Sequence, residues 1–297
     1  MERRAPEWPT PDAGFGMATR ELTPAEARSP RMASPFWGIR TTRDPGPDPV
    51  LRARALAPRL PTRAFFFGTT AAAIHGLPLP FRFADQPRVH VGVTAGARRV
   101  QASGIQAHHV VLHDADLTTR HLLRVTTVAR TWCDLATTRL TLAELVAAGD
   151  RAVWHRSPLT TLAELRDCVE RYEGRRGSRV MRQALALLNG RADSPPESEL
   201  RVAIHLAGLP SPTVNGEIRL SREIVIHPDL SWGAQRIAVE YEGDHHRTGR
   251  SQWHDDIRRA AALQEDGWQI YRATSSDYAN AERLIAWLSR RLHLDPP

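Results

Sequence analysis

A pair of strand-like runs on either side of Gly233 constrains the fold most strongly. Residues 227–232 and 236–242 mix apolar with polar side chains, and the glycine between them favours a turn. This pattern predicts two antiparallel strands joined as a hairpin. Further helices and strands are predicted on both sides of the hairpin, so it lies inside a larger sheet-containing region.

The predicted elements around the hairpin follow a definite order. One helix comes before the strands, and a helix, a strand and a last helix come after them, which gives α-β-β-β-α-β-α. The predicted helices are 197–207, 251–266 and 278–292, and the predicted strands are 213–220, 222–231, 236–242 and 268–272.

The preceding part of the chain is predicted to be a smaller mixed α+β domain, 51–190, that continues into helices. Its predicted helices are 51–60, 69–76, 126–137, 141–154, 160–173 and 177–189, and its predicted strands are 89–93, 106–111 and 122–127. Two prolines after polar residues indicate a linker at 191–196. Residues 1–50, rich in proline and arginine, are expected to form a poorly ordered tail. The fold class predicted for the chain is therefore α/β (α+β).

The basic residues are all of one type. The 297-residue chain has 40 arginines and no lysine, against 33 acidic residues. It therefore has no Walker-type lysine for phosphate, no Schiff-base lysine and no serine–lysine dyad. Residues 1–194 hold 28 arginines and 18 acids, whereas residues 195–297 hold 12 arginines and 15 acids. The basic excess, and with it any attraction for a polyanion, is predicted to lie in the N-terminal part.

Composition also indicates a compartment. Cys133 and Cys168 are the only cysteines, and they suggest neither a disulfide framework nor a four-ligand zinc site. The N-terminus lacks the apolar run of a signal peptide, and no stretch approaches the roughly 20 apolar residues that a membrane span needs. We expect a cytoplasmic protein without a membrane partner, and the sequence leaves its oligomeric state open.

Three acidic side chains are predicted to converge on the hairpin. The expected register sets Asp229 opposite Val239 and within one residue of direct pairing with Glu240. Glu240 and Glu242 alternate with apolar residues and therefore share a strand face. Clustered carboxylates repel one another unless a cation neutralises them, and oxygen ligands select Mg²⁺ or Mn²⁺. The alternative is a solvated strand face whose acids serve solubility.

Further candidates flank the hairpin. His245 and His246 lie in the turn after it, where a histidine can act as a general acid or base. Glu197 opens the preceding helix and can lean towards the sheet, with Glu199 as its rival. Arg259 lies on the following helix, where a guanidinium can hold a carboxylate or a scissile phosphate.

Together these motifs resemble a Vsr-like (very-short-patch-repair-like) family of the PD-(D/E)XK restriction-endonuclease fold, an actinobacterial domain of unknown function. The resemblance covers about residues 195–275. It rests on Pro228-Asp229, Glu240-Tyr-Glu-Gly-Asp-His-His246, Asp256-x-x-Arg259-x-x-x-Leu263-x-x-x-Gly267-Trp268 and Arg272.

The resemblance implies an αβββαβ core with a mixed sheet over residues 197–297. It also implies that Asp229 and Glu240 are ligands of Mg²⁺ or Mn²⁺, that Glu197 is the acid of the helix, and that His246 is the family's histidine. Glu242 stands where the family more often has aspartate and where many PD-(D/E)XK enzymes have lysine.

The N-terminal part resembles a segment shared with AbiEi-type antitoxins of type IV toxin–antitoxin systems. Antitoxins of that type carry a winged helix that binds DNA, and residues 1–35 match such a helical domain poorly. The similar motifs are Phe36-Trp-Gly-Ile39, Gly68-Thr-Thr-Ala-Ala-Ala-Ile-His-Gly-Leu-Pro78 and Val125-Thr-Thr-Val-Ala-Arg-Thr-Trp-Cys-Asp-Leu-Ala136.

The sequence thus predicts a metal-dependent DNA endonuclease or nickase that hydrolyses phosphodiester bonds in repair, restriction or phage defence. The catalytic residues would be Glu197, Asp229, Glu240, Glu242, His246 and Arg259. The alternative is a non-catalytic AbiEi-like antitoxin or transcriptional regulator with a degenerate nuclease fold, whose partner is DNA or a toxin or repair protein. A third possibility is a structural or interaction protein.

Two smaller expectations concern residues outside these motifs. Trp132-Cys133-Asp134 is predicted to pack in a core. His108, His109 and His113 are predicted to lie on the surface, although their spacing imitates a metal cluster.

Overall fold

The chain divides into two compact units, the first ending at Leu135 and the second beginning at Ala136. Both combine helices with a mixed β-sheet, so the predicted α+β class is confirmed. None of the helices in the described ranges has the length and apolar character needed to cross a bilayer. The computed structural model describes residues 16–84, 88–94, 96, 102–220, 224–242 and 261–292.

The first unit is built around a five-stranded sheet. Its elements are β1 (Met17–Ala18), α1 (Pro24–Ala27), β2 (Ile39–Arg40), α2 (Pro49–Leu56), β3 (Phe65–Phe66), α3 (Gly68–His75), α4 (Phe81–Ala84), β4 (Val89–Val93), β5 (Ile105–His109), β6 (Leu117–Arg120), β7 (Leu123–Thr126) and α5 (Val128–Leu135). The strand order is β5-β4-β3-β7-β6, with β4–β5 and β3–β7 parallel and the other pairs antiparallel.

The core of the first unit lies between this sheet and its helices. Phe66 and Val125 of the sheet pack with Leu56 of α2 and Ile74 of α3. Helix α3 ends at Gly76, whose φ of +75° is the left-handed conformation that terminates many helices. The predicted strand 89–93 has the observed bounds, and the other elements predicted in this unit lie within a few residues of the observed ones.

Residues 16–50 do not form the poorly ordered tail that the sequence predicted. Strand β1 pairs with β2, and Phe36 and Ile39 belong to the core of the unit. Composition suggested a tail because proline and arginine dominate this stretch, yet a few apolar side chains are enough to anchor it. Residues 1–15 lie outside the described residues.

The predicted core segment Trp132-Cys133-Asp134 is buried, as expected. On the same helix Arg130 is buried with two carboxylates. Its Nε donates to Asp134 Oδ1 at 2.8 Å, and its Nη1 donates to Asp116 Oδ2 at 3.1 Å. The sequence did not indicate this cluster, because Asp116 belongs to a different element.

The three histidines predicted to lie on the surface divide into two groups. His109 and His113 are exposed. The half-buried ring of His108 instead stacks on His90, with ring centroids 5.2 Å apart and Nε2 of His108 3.1 Å from Nδ1 of His90. Burial lowers the pKa of His90 to about 4, so this ring is uncharged at neutral pH.

The second unit is built around a four-stranded sheet. Its elements are α6 (Leu142–Ala152), α7 (Leu162–Arg171), α8 (Ser178–Leu187), α9 (Pro195–Leu206), β8 (Thr213–Val214), β9 (Ile218–Arg219), β10 (Val225–Ile226), β11 (Leu230–Trp232), β12 (Ile237–Tyr241), α10 (the helical residues 261–265), β13 (Gln269–Ala273), α11 (Ser275–Ala279) and α12 (Glu282–Leu292). The strand order is β13-β12-β11-β8. Only the β12–β13 pair is parallel, and β9 and β10 form a separate antiparallel pair.

The side chains of strand β12 divide between the two faces of the sheet. Ile237, Val239 and Tyr241 pack in a core that includes residues of α9 and α12. Because side chains alternate along a strand, Ala238 and Glu240 point to the opposite face. This is the alternation that the sequence predicted, and it sets Glu240 apart from the apolar core.

Helices α6, α7 and α8 belong to the second unit, so the chain does not divide at the predicted linker, 191–196. Asp150 on α6 joins them to α9: its Oδ2 accepts hydrogen bonds from Ser198 Oγ at 2.7 Å and from Arg201 Nη2 at 2.6 Å. The polar and proline residues that suggested a linker instead begin α9, with Ser194 as the N-cap.

The observed boundary also changes the distribution of charge. Up to Leu135 the chain has 18 arginines and 11 acids, and from Ala136 onwards it has 22 of each. The basic excess therefore belongs wholly to the first unit, and the second unit is balanced rather than acidic.

Candidate active site

The hairpin brings Asp229 and Glu240 together. Leu230 pairs with Val239, so the same register one position further along sets Asp229 beside Glu240. This differs by one residue from the predicted register, in which Asp229 faced Val239. Oδ2 of Asp229 accepts a hydrogen bond from the backbone N–H of Tyr241 at 2.7 Å, which holds this carboxylate against β12. Both acids are partly buried.

Asn215, at the end of β8, connects the hairpin to helix α9. Its backbone N–H donates to the carbonyl oxygen of Asp229 at 3.0 Å, and its side-chain Nδ2 donates to Glu197 Oε2 at 2.9 Å. Its φ of +45° is a left-handed conformation that asparagine tolerates better than most residues. Asn215 was not predicted as a site residue, because Asp229 and Glu197 are distant from it along the chain.

Glu197 is the acid of α9 that reaches the sheet, and it serves the start of its own helix at the same time. Its Oε1 accepts from Ser194 Oγ at 2.7 Å, and its Oε2 accepts from the backbone N–H of Asp193 at 2.9 Å as well as from Asn215. Its rival, Glu199, accepts instead from the hydroxyl of Tyr278 at 3.1 Å. Glu197 is therefore placed to hold Asn215 and the helix start.

The sequence predicted that Glu242 would join Asp229 and Glu240, but its carboxylate binds an arginine of the neighbouring strand instead. It is half exposed, and its Oε1 accepts from Arg272 Nη1 at 2.9 Å. Arg272 pairs with Glu240 in the parallel register of β12 and β13, so its side chain lies on the face of the sheet that carries Glu240 and Glu242. Arg272 thus offers Glu242 a neutralising partner that the hairpin alone could not supply.

Of the four predicted acids, Asp229 and Glu240 remain as the candidate pair for a metal ion. Within the described ranges, no three His, Cys, Asp or Glu side chains are grouped so that they could hold a metal ion. Asp229 and Glu240 nevertheless suit Mg²⁺, which proteins commonly hold through one or two carboxylates, with water and phosphate oxygens completing the octahedron. His246 and Arg259, the other predicted site residues, lie outside the described residues.

Similar proteins occur in Mycobacterium tuberculosis. "Uncharacterized protein Rv2248" of strain ATCC 25618 / H37Rv and "Uncharacterized protein MT2308" of strain CDC 1551 / Oshkosh are each 28% identical to this chain over 279 residues. The match covers 93% of this chain and 97% of each relative, so it extends across both units. No protein-family model matches the chain, and no solved structure matches it.

Proposed function

We propose that the protein is a metal-dependent DNA endonuclease or nickase in which Asp229 and Glu240 would hold Mg²⁺ or Mn²⁺. The observation that supports the proposal is the register of the β11–β12 pair, which continues from Leu230 and Val239 to Asp229 and Glu240, with Asp229 Oδ2 bound to the backbone N–H of Tyr241. Two adjacent, partly buried carboxylates repel each other, and a cation between them removes that cost.

The topology of the second unit supports the proposal. The order α9, β8, β11, β12, α10 and β13 is compatible with the αβββαβ order of a restriction-endonuclease-like core, with β9 and β10 as an addition between the first two strands of the sheet. In such a core the acid pair lies on the central hairpin, and the acid of the first helix lies close to it.

The chain's own residues would organise the site. Tyr241 N–H fixes one carboxylate oxygen of Asp229, and Glu197 orients Asn215, which holds the Asp229 backbone. When bound, Mg²⁺ would supply a Lewis acid that activates water and neutralises charge on the phosphate. His246 is proposed to transfer a proton and Arg259 to steady negative charge.

Arg272 is a further candidate for contact with the scissile phosphate. Arg272 pairs with Glu240 across the parallel strands, and its side chain is about half exposed while its guanidinium binds Glu242. A surface ion pair of this kind is weak, and a phosphate can replace the carboxylate in it through two parallel N–H donors. Glu242 would then keep Arg272 in position until DNA arrives.

The charge distribution supports DNA as the substrate. The catalytic unit is neutral overall, whereas the first unit carries seven more arginines than acids. Contacts between arginine and the phosphate backbone supply the sequence-independent part of DNA affinity. The first unit would therefore recruit the polyanion, and the second would cleave it.

Cleavage of supercoiled plasmid in Mg²⁺ tests the proposal. Asp229→Asn and Glu240→Gln keep the shape of each side chain and remove its charge, so each is expected to lower the nicking rate by about 100-fold or more. The required Mg²⁺ concentration should rise in the same variants. Glu217→Gln is the matched control, because Glu217 is an exposed acid of this unit whose partner is Arg219. Equal nicking by all four proteins would exclude the assignment.

A second function is favoured by the engagement of Glu197 and Glu242 with other groups. These contacts leave two described carboxylates where four were expected, as in a degenerate nuclease fold. The protein would then be an AbiEi-like DNA-binding regulator, with a toxin or repair protein as a further partner. For this second function we expect DNA binding that weakens with salt and is unchanged by EDTA. We expect no cleavage at any Mg²⁺ or Mn²⁺ concentration.

A further inference from the structure

An exposed tryptophan stands at the corner of a tight turn in the first unit. The backbone N–H of Ile39 donates to the carbonyl oxygen of Phe36 at 3.1 Å, which closes the turn around Trp37 and Gly38. Phe36 and Ile39 are buried, whereas Trp37 is 76% exposed. The core thus anchors both ends of the turn and holds the indole in solvent, an unusual position for so large an apolar ring.

Arg59 supports the indole from one side. Its Cζ lies 4.4 Å from the centroid of the Trp37 ring, and its Nη1 donates to the carbonyl oxygen of Trp37. Gly38 makes this approach possible, because its φ is +72° and a Cβ there would lie 2.5 Å from Arg59 Nη1. The turn therefore holds a cation–π pair with a preset geometry.

The turn borders an open cleft of about 630 Å³. Arg20, Arg40 and Arg59 line the cleft together with Trp37, and no acidic side chain lines it among the described residues. The Nε of Arg40 is buried and makes no hydrogen bond within the described part of the chain. Three guanidinium groups around one concave surface favour an anion with several oxygen acceptors.

We propose that this cleft binds an unpaired nucleotide of a single-stranded nucleic acid. The guanidinium groups of Arg20 and Arg40 would hold the phosphodiester, and the base would stack on the exposed face of Trp37, opposite Arg59. Single strands are commonly held in this way, because every base offers a π-face to an aromatic side chain while arginines follow the backbone. Inside a duplex the base is already stacked, so Trp37 selects the single strand.

This site goes beyond the proposed cleavage function. It lies within the first unit, and none of its residues belongs to the Asp229–Glu240 pair. In a nicking enzyme, it would hold a displaced or already unpaired strand. The site would exist equally in a protein that does not cleave DNA.

Fluorescence anisotropy of a labelled oligothymidylate with the full-length protein tests the site. Trp37→Ala is expected to weaken binding at least about fivefold, because loss of one stacked base has that effect, and to leave the salt dependence unchanged. Trp37→Phe keeps a ring and should recover much of the affinity. Arg20→Gln and Arg40→Gln should each lower the slope of log affinity against log salt by about 0.7, the value for one phosphate contact on a single strand.

The control variants separate this site from other causes of lost binding. Arg63→Gln removes an exposed arginine of the same unit that does not line the cleft and should bind as wild type does. Arg20 has an 81% exposed side chain, so Arg20→Gln tests the site without disturbing the fold.

Three results would overturn the proposal. Trp37→Ala and Arg20→Gln binding like Arg63→Gln would show that the cleft takes no nucleic acid. Equal loss of single-strand and duplex binding in Trp37→Ala would show that no unpaired base stacks there. Inorganic phosphate displacing the oligonucleotide as effectively as thymidine monophosphate does would show that only the anion is recognised.

Discussion

Within the described residues, each unit buries an arginine that pairs with acidic side chains, two of them in the first unit and one in the second. In the first unit Arg130 is shared between Asp116 and Asp134, so two acids surround one cation. In the second unit Arg201 faces Asp150 alone, and Asp150 also accepts a hydrogen bond from Ser198 Oγ. The first cluster has an excess negative charge, whereas the second is electrically balanced.

The surroundings of the buried acids also act on their pKa values. Burial raises the pKa of Asp134 to about 7, and the attraction of Arg130 offsets only part of that shift. Burial also raises the pKa of Asp150, but Arg201, the backbone N–H of Asn189 and Ser198 all oppose the shift. In both clusters burial favours the neutral acid and the donors around each acid favour its charged form, and in the first cluster Asp116 adds to the rise in the pKa of Asp134.

The largest effect is expected when the first unit loses its cation. Arg130→Met keeps the length of the side chain but leaves Asp116 and Asp134 buried without their guanidinium. We expect the free energy of unfolding to fall by about 3–5 kcal/mol, the usual cost of breaking a buried ion pair from one side. Urea unfolding measures the loss, and hydrogen exchange should locate it in α5 and leave α9 protected.

The corresponding change in the second unit should cost less. Arg201→Met removes the hydrogen bonds to Asp150 and to the carbonyl oxygen of Leu187, but Asp150 keeps its donors Ser198 Oγ and Asn189 N–H. We expect a loss of about 2–3 kcal/mol, typical of hydrogen bonds to a charged group. Exchange should then increase in α9 rather than in α5. A loss as large as that of Arg130→Met would contradict the comparison.

The smallest effect is a dependence of stability on pH that belongs to the first unit. Because the pKa of Asp134 is raised in the folded state, the folded chain binds a proton that the unfolded chain releases. Stability should therefore fall as the pH rises through about 7, by about 1–2 kcal/mol between about pH 5.5 and about pH 8.

Urea unfolding across this pH range, compared with Asp134→Asn, measures the contribution of Asp134. The variant is needed because His75 and His90 also contribute to the pH dependence of stability. Burial lowers their pKa values, so their contribution to the free energy of unfolding rises with pH, opposite to that of Asp134. Identical pH profiles for the two proteins would show that Asp134 remains ionised throughout.

Most elements were predictable because their signals are local. Thr141 with Glu144, and Thr161 with Glu164, form capping boxes at the starts of α6 and α7, and the two partners of each box are only three residues apart. The boundary between the units was not predictable in this way. It depends on the contact of Asp150 with Ser198 and Arg201, about 50 residues further along the chain, and the prolines before α9 imitate a linker.

The candidate site shows the same limit. Asp229 and Glu240 were predicted within one residue of their observed pairing, because a short turn fixes the register of a hairpin. The contact of Glu242 with Arg272 was not predicted, since it requires the parallel pairing of β12 with β13. The alternation of side chains along β12 showed which acids share a face of the sheet. It could not show that an arginine of β13 would neutralise one of them.

The different pairings of β12 on its two sides also have a consequence for the order of assembly. The β11–β12 hairpin closes a turn of four residues, 233–236, whereas the β12–β13 pair closes a loop from Ile237 to Gln269. Three doublings of loop length separate the two, which corresponds to about 2 kcal/mol of additional closure entropy for the longer loop. The β11–β12 pairing, which brings Asp229 and Glu240 together, therefore loses less chain entropy on closure. The β12–β13 pairing, which brings Arg272 beside them, loses more.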